Sequence, residues 1–420
     1  QMFSSANSIN WGRLVPQIVY YFSAYAQLLE EGYISSRERS GFFVEAVEPQ
    51  KKARPVQPVT ESVPLPRQGA DLTGNGTGQF PFSVWIRLQR EVILDYGERL
   101  LLPVDSRGAP ETRTAIAKNL GDFRGMTVDP ENILIGAGTD FLYNLLLQLL
   151  GQDKVYGVED PGYGKIRKIY AAGGVRCLPI PMDESGIRPD SLGGARVLHI
   201  SPSHHFPTGI VMPLHRRRAL IDWARRTDGF IIEDDYDTEF RFRGHPLPPM
   251  QTMDPERVIY MNTFSKTLFP SIRISYMVLP AGLMARFREK LGFYGCTVPS
   301  FEQYTLARFL DRGYFEKHIN RMRKFYRARR NRVIAMLAGC PAAGKFTILE
   351  QDAGLHFLLK VETALDDNAL TALFAQSGLR VQPLGSFYTS PREDCRGMLV
   401  INYSAVDEKA LEEGLGKLEI

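Results

Sequence analysis

The chain has 420 residues, 44% hydrophobic and 23% charged, with a formal net charge of +4. That length allows two or three domains, and that balance excludes a wholly disordered or fibrous chain. No uncharged apolar run is long enough to span a bilayer and no signal peptide opens the sequence, so a cytoplasmic protein with no membrane partner is expected. In chain order, S-A-Y-A-Q-L-L-E-E-G-Y predicts a helix, with Tyr25, Leu28 and Leu29 at helical spacing and Gly32 as its stop. I-S-S-R-E-R-S-G-F-F-V predicts two short strands around a basic turn. Residues 48–70, rich in proline and polar side chains, predict an extended linker. From Asp71 onward, strand-like runs (N-I-L-I-G-A-G, R-V-L-H-I-S-P, F-I-I-E-D-D-Y-D, R-V-I-Y-M-N-T-F) alternate with helical ones. This alternation predicts an α/β domain with a mostly parallel sheet, whose ligands gather at the carboxyl ends of strands. After about residue 290 the pattern turns helical and then returns to strands, predicting a smaller C-terminal part.

Five segments that follow strands carry candidate chemistry. In M-N-T-F-S-K-T-L-F-P-S-I-R, a strand is expected to end near Thr263, with Lys266 in the next turn. A lysine of depressed pKa can form an imine with a carbonyl cofactor. Thr263 and Ser265 offer hydroxyls to a phosphate, and Arg273 offers a charge-assisted fork. S-K alone equally describes a surface lysine. In F-I-I-E-D-D-Y, residues i and i+2 of a strand share a face, so Asp234 and Tyr236 can address one ligand. A carboxylate there can keep a pyridine nitrogen protonated, and the phenol can bond the ring's 3′ oxygen. The alternatives are a solvated acidic strand end, or a divalent-metal site centred on Glu233, Asp234 and Asp235.

The turn Gly136-Ala137-Gly138-Thr139 opens a helix whose free N–H groups attract phosphate, with Asp140 in its first turn. V-E-D-P-G-Y places Tyr163 after a Pro-Gly turn, suited to lie over a planar ring or simply to pack on the surface. S-P-S-H-H-F-P-T-G brings His204 and His205 near His199, at a spacing that matches no standard zinc pattern. We expect one imidazole, His205, near the cofactor's oxygen edge, and no metal. Cys177, Cys296, Cys340 and Cys395 form no C-x-x-C pair, so neither a disulfide framework nor a cysteine zinc site is expected.

In order, G-A-G-T, E-D-P-G-Y, P-S-H-H-F-P-T-G, E-D-D-Y-D-T-E-F and T-F-S-K with R-I-S resemble the fold-type I pyridoxal 5′-phosphate enzymes of aminotransferase class I/II. The resemblance runs from about residue 71 to 420. S-H-H-F-P-T-G and E-D-D-Y-D-T-E-F are most similar to the MocR-type branch of the GntR superfamily. That branch fuses a winged helix–turn–helix to an aminotransferase-like domain; its members are mostly transcriptional regulators that sense a small amine or amino acid. The resemblance implies pyridoxal 5′-phosphate on Lys266, with Asp234 and Tyr236 as its catalytic partners. Tyr163, Gly138, Thr139, Asp140, His205, Thr263, Ser265 and Arg273 would complete the cofactor site. It implies a large part at about 110–290 and a small part at about 71–109 and 291–420. It also implies a homodimer, and a partial winged helix at 1–47 with Arg37 and Arg39 at DNA phosphates. Because the chain starts at Gln1, a fragment or processed form is expected.

Three departures qualify it. S-I-N-W-G-R-L-V-P-Q-I-V-Y-Y-F does not resemble the helices that position a recognition helix. Phe206 stands where many aminotransferases have the asparagine of N-P-x-G. Val400 stands where an arginine usually holds the substrate carboxylate, leaving Lys165 and Arg396 as candidate substitutes. Many relatives also space Asp and Tyr three apart, which would nominate Glu233 in place of Asp234. The expected function is a regulator working through imine exchange at Lys266; the alternative is a working aminotransferase of amino acids.

Overall fold

A computed structural model describes residues 23–46, 69–74, 76, 79–242, 247–349 and 354–419. It divides into two units, residues 1–67 and 68–420. In the first unit a helix covers 23–30 and stops at Gly32, whose φ of +75° is left-handed backbone that glycine adopts without strain. Strands β1 (Ile34–Arg37) and β2 (Gly41–Val44) follow as an antiparallel pair, with Ile34 opposite Val44. Helix and hairpin thus form where the pattern predicts them. Arg37 and Arg39 are both exposed; the Arg37 guanidinium lies 4.9 Å from the Phe43 ring. The segment 8–22 and nearly all of the expected linker lie outside the described residues.

The second unit is built on an eight-stranded sheet. Its strands are β3 (Ile133–Gly136), β4 (Val155–Asp160), β5 (Arg176–Asp183), β6 (Gly186–Ile187), β7 (Val197–Ile200), β8 (Phe230–Asp234), β9 (Val258–Thr263) and β10 (Ser275–Val278). Their spatial order is β3-β10-β9-β8-β7-β4-β5-β6. Neighbours from β9 through β5 run parallel, whereas β10 is antiparallel to both β9 and β3. The mostly parallel sheet predicted from the alternation is therefore present. Strands β7 and β9 are buried along their whole length, as expected where apolar groups cover both faces. Alternate residues serve opposite faces. Ile232, Ile259 and Met261 join the helix Thr139–Leu150, which buries seven of its twelve residues. Ile231 and Val258 join Leu220, Trp223 and Ala224 of the helix Leu214–Thr227.

A second sheet contains β11 (Phe346–Leu349), β12 (His356–Val361), β13 (Gln382–Pro383) and β14 (Met398–Asn402), in the antiparallel order β11-β12-β14-β13. The expected boundary between large and small parts needs correction. Trp85 and Leu88, like Leu306 and Phe309, pack with Ile133, Ile135 and Tyr276 of the large sheet. The helices Phe82–Tyr96 and Ser300–Asp311 thus bury their apolar faces against the large part. The 26-residue helix Tyr314–Gly339 bridges the two cores: Phe315 and Ile319 serve the first, Met322, Tyr326, Val333 and Leu337 the second. Among the described residues no helix is long and apolar enough to cross a membrane.

Candidate cofactor site at the strand ends

Strands β3, β4, β7, β8 and β9 deliver their carboxyl ends to one edge of the sheet. Asp234 closes β8. Its Oδ2 accepts a hydrogen bond from the Tyr143 hydroxyl at 2.6 Å and lies 3.4 Å from His199 Nε2. His199 Nδ1 is in turn 2.7 Å from the Tyr170 hydroxyl. The other oxygen, Asp234 Oδ1, is buried without a hydrogen-bond partner in the structure. A buried acceptor left without a donor is costly, and Asp235 Oδ1 next to it is in the same state.

The flanking carboxylates point elsewhere. Glu233 accepts from the backbone N–H groups of Met250 and Gln251 at 2.9 and 3.0 Å. Asp235 accepts from the Tyr260 hydroxyl at 2.6 Å and pairs with Arg124 at 2.8 Å. Strand alternation sets Asp234 apart from Glu233 and Asp235, and those two are held by different partners, so the alternative of a metal site on Glu233, Asp234 and Asp235 is overturned. It likewise favours Asp234 over Glu233 as the ligand-facing group.

Lys266 sits one strand over, in the single turn Phe264–Thr267 that follows β9. Burial holds its amine below the usual lysine range, against the pull of Asp237 and Asp234. A lysine in that state is a competent nucleophile. Thr263, expected as a phosphate donor, caps this turn. Its hydroxyl accepts from Ser265 N at 3.1 Å and from Ser275 Oγ at 2.8 Å, and lies 3.4 Å from the Ile274 carbonyl. Ser265 Oγ, by contrast, is buried without a partner in the structure.

At the end of β3, Thr139 begins a helix behind Gly138, whose φ is +89°. A Cβ at position 138 would stand 2.1 Å from Arg273 Nη2, the movable end of a long side chain, so it is the left-handed backbone at 138 that favours glycine. Arg273 Nη2 lies 3.2 Å from Asp140 Oδ2, which also holds Lys165 Nζ at 2.7 Å. Helix N-terminus and two cations together form a cradle for an anion.

Tyr236 has its hydroxyl 3.4 Å from His204 Nδ1. Burial, then the charges of Asp237 and Asp234, push its phenol well above the ordinary range, so it stays a proton donor. His204, rather than His205, is the imidazole beside Tyr236. His205 Nδ1 lies 2.7 Å from Thr208 Oγ1 and its Nε2 3.4 Å from Glu159. Burial, and the neighbouring His204 after it, push His205 down to about 3, so it is neutral. Tyr163 is half exposed, and its ring meets Phe206 edge-on at 6.1 Å. His204, Asp237 and His356 bring potential ligand atoms within 4.8 Å of one another. Both Asp237 oxygens there already lie 3.0 Å from His204 Nδ1.

Val400 packs with Leu358, Leu384, Phe387 and Cys395 in an apolar cluster. The two candidate substitutes for the missing arginine are engaged elsewhere: Lys165 with Asp140, and Arg396 with the carbonyls of Ala364 and Leu365. Sequence reasoning missed Tyr143 and Tyr170 altogether and weighed His199 only as a metal ligand. A signal existed for the last: His199 lies inside V-L-H-I, a strand otherwise wholly apolar, where a polar side chain needs a partner.

The family model for aminotransferase class I and II matches residues 70–418. The chain is 37% identical over 408 residues to the uncharacterized HTH-type transcriptional regulator YdeL of Bacillus subtilis, covering 94% of this chain and 87% of that one. It is 32% identical to the probable rhizopine catabolism regulatory protein MocR of Rhizobium meliloti, covering 94% and 84%. Among solved structures, the kynurenine aminotransferase of Pyrococcus horikoshii superposes with a TM-score of 0.72 at 26% identity, covering 84% of this chain and 90% of that one. The chain therefore belongs to the aminotransferase class I and II family, in its MocR-type branch.

Proposed function

We propose that this protein is a transcriptional regulator that carries pyridoxal 5′-phosphate on Lys266 and senses a small amine or amino acid. The observation that carries the reading is the partnerless Asp234 Oδ1, held at a strand end beside the strand that delivers Lys266. A protonated pyridine nitrogen is the donor that this oxygen fits. Tyr236 would donate to the ring oxygen and Tyr163 would lie against the ring. Gly138, Thr139, Ser265 and Arg273 would hold the phosphate, with Asp140 fixing the arginine.

When bound, pyridoxal 5′-phosphate supplies a carbonyl carbon that condenses reversibly with primary amines. Lys266 Nζ, kept reactive by burial, is the amine against which an effector would compete. Val400 and its apolar neighbours, in place of a carboxylate-binding arginine, favour sensing over turnover. The names of the relatives, HTH-type regulators, support the regulatory role. Exposed Arg37 and Arg39 suit contact with DNA phosphates. A homodimer is the expected assembly.

Visible absorbance with added pyridoxal 5′-phosphate tests the anchor. Wild type should show a shifted band that Lys266→Ala lacks; the same band in the variant would sink the reading.

A working aminotransferase is the second reading. The Tyr143–Asp234–His199–Tyr170 network favours it, since proton transfer needs a rigidly held cofactor. Half-reaction with a panel of amino acids, followed by absorbance, separates the two: turnover supports the enzyme, and binding without turnover the sensor.

A further inference from the structure

The helix Tyr314–Gly339 carries eight lysines and arginines against one glutamate, a net charge of +7. The whole chain is only +4, so everything outside this helix is net −3. The charge is not spread evenly along it. Near its carboxyl end, Arg332 forms a two-point bridge to Glu408 at 2.7 Å on both oxygens, and Arg329 lies 3.6 Å from the same carboxylate. The first half is different. Lys317, Arg321, Lys324 and Arg327 are all exposed. At 100° per residue they fall within about one third of the helix circumference, and they extend along about 15 Å of its axis.

The contacts these four make are with neutral groups. Arg321 donates to the Gln79 carbonyl at 2.8 Å, and Arg327 to the Phe242 carbonyl at 3.1 Å. Lys317 lies over the Tyr314 ring. Among the described residues no carboxylate stands within ion-pair distance of any of the four. The row is therefore uncompensated, and two of its guanidiniums are fixed in place by backbone acceptors.

We propose that this row is a second nucleic-acid contact, one that engages the phosphates of duplex DNA from the aminotransferase-like unit without reading sequence. It rests on the regulatory reading above. Fifteen ångströms of duplex axis present about four phosphates of one strand, which matches four cations. Such a contact adds affinity and salt dependence but no base preference.

The test uses the full chain loaded with cofactor and a duplex of random sequence, titrated across a salt series. Lys317→Gln, Arg321→Gln and Lys324→Gln together should weaken binding at least tenfold at low salt. They should also reduce the slope of log K against log salt by about 2 to 3, near 0.9 per lost phosphate contact. The charge-conserving set Lys317→Arg, Arg321→Lys and Lys324→Arg should bind like wild type. An unchanged slope in the neutral variant, with its lysine–cofactor absorbance intact, overturns the proposal. So does a variant that loses binding only to vesicles of anionic lipid. Arg37→Glu with Arg39→Glu separates the two readings. If that pair alone abolishes DNA binding, this inference fails and the regulator stands; if wild type binds no DNA, both fail.

Discussion

Adjacent carboxylates at the end of one strand have different partners. Asp235 faces Arg124, a buried cation that its charge neutralises; burial works against that guanidinium, and Asp235 foremost among its neighbours raises its pKa. Asp234 accepts from a phenol and lies 3.4 Å from an imidazole, and each of the two aspartates keeps one oxygen without a hydrogen-bond partner in the structure. Asp235 is tied to a buried guanidinium, whereas Asp234 is held by aromatic groups from a helix and a neighbouring strand. A one-residue step along a strand turns a side chain to the opposite face.

The largest effect that would test this division is on stability. Asp235→Asn leaves Arg124 as a buried, unpaired charge and should cost about 3–5 kcal/mol. Denaturant midpoints with and without cofactor would show the same loss in both. A loss confined to the cofactor-bound protein would mean that Asp235 belongs to the site.

Glu233 gives a second lever. Burial, with the Asp235 charge after it, pushes its carboxyl up to about 7. A pKa raised on folding adds stability that is fully present below the unfolded value near 4.5 and is lost as pH rises through 7. Stability of the cofactor-free protein should therefore fall by about 1.4 kcal/mol per pH unit across that window, and Glu233→Gln should flatten the slope. An identical slope in the variant would assign the titration to another group, with Glu239, also pushed to about 7 by burial, next in line.

The smallest effect is the most specific. Asp234→Asn preserves shape and removes only the charge available to the ligand. Cofactor should be held about tenfold less tightly, near 1.4 kcal/mol, with cofactor-free stability changed by less than about 1 kcal/mol. If Asp234→Asn instead unfolds the protein and leaves cofactor affinity intact, the contrast between the two aspartates is wrong.

Much of this was legible without coordinates, for a local reason. Lys266, Asp234 and the Gly138 turn each follow a short apolar run that the structure folds as a largely buried strand, and strands of such sheets end where ligands bind. The separation of Asp234 from Glu233 and Asp235 also follows from period two alone. Thr263 and His205 are engaged locally in the structure because hydroxyls and imidazoles have many partners to choose from. The nearest ones, Ser265 N for Thr263 and Thr208 for His205, took them. The boundary near 291 was misplaced because an amphipathic helix shows in its sequence that it has an apolar face, but not which core buries it.

Sequence by itself determined the strand–helix alternation, the candidate lysine and carboxylate at the strand ends and the family resemblance, because each is encoded within a dozen residues. Only the tertiary structure decided that Tyr143, Tyr170 and His199 converge on Asp234. They come from two helices and a strand that meet only when the sheet assembles. It also decided that Val400 belongs to an apolar wall, and that along the helix Tyr314–Gly339 the row from Lys317 to Arg327 has no carboxylate partner among the described residues while Arg329 and Arg332 share Glu408. Hydrogen-bond and charge partners separated by tens to hundreds of residues leave no periodic mark on the chain, since the selection acts on distance in space.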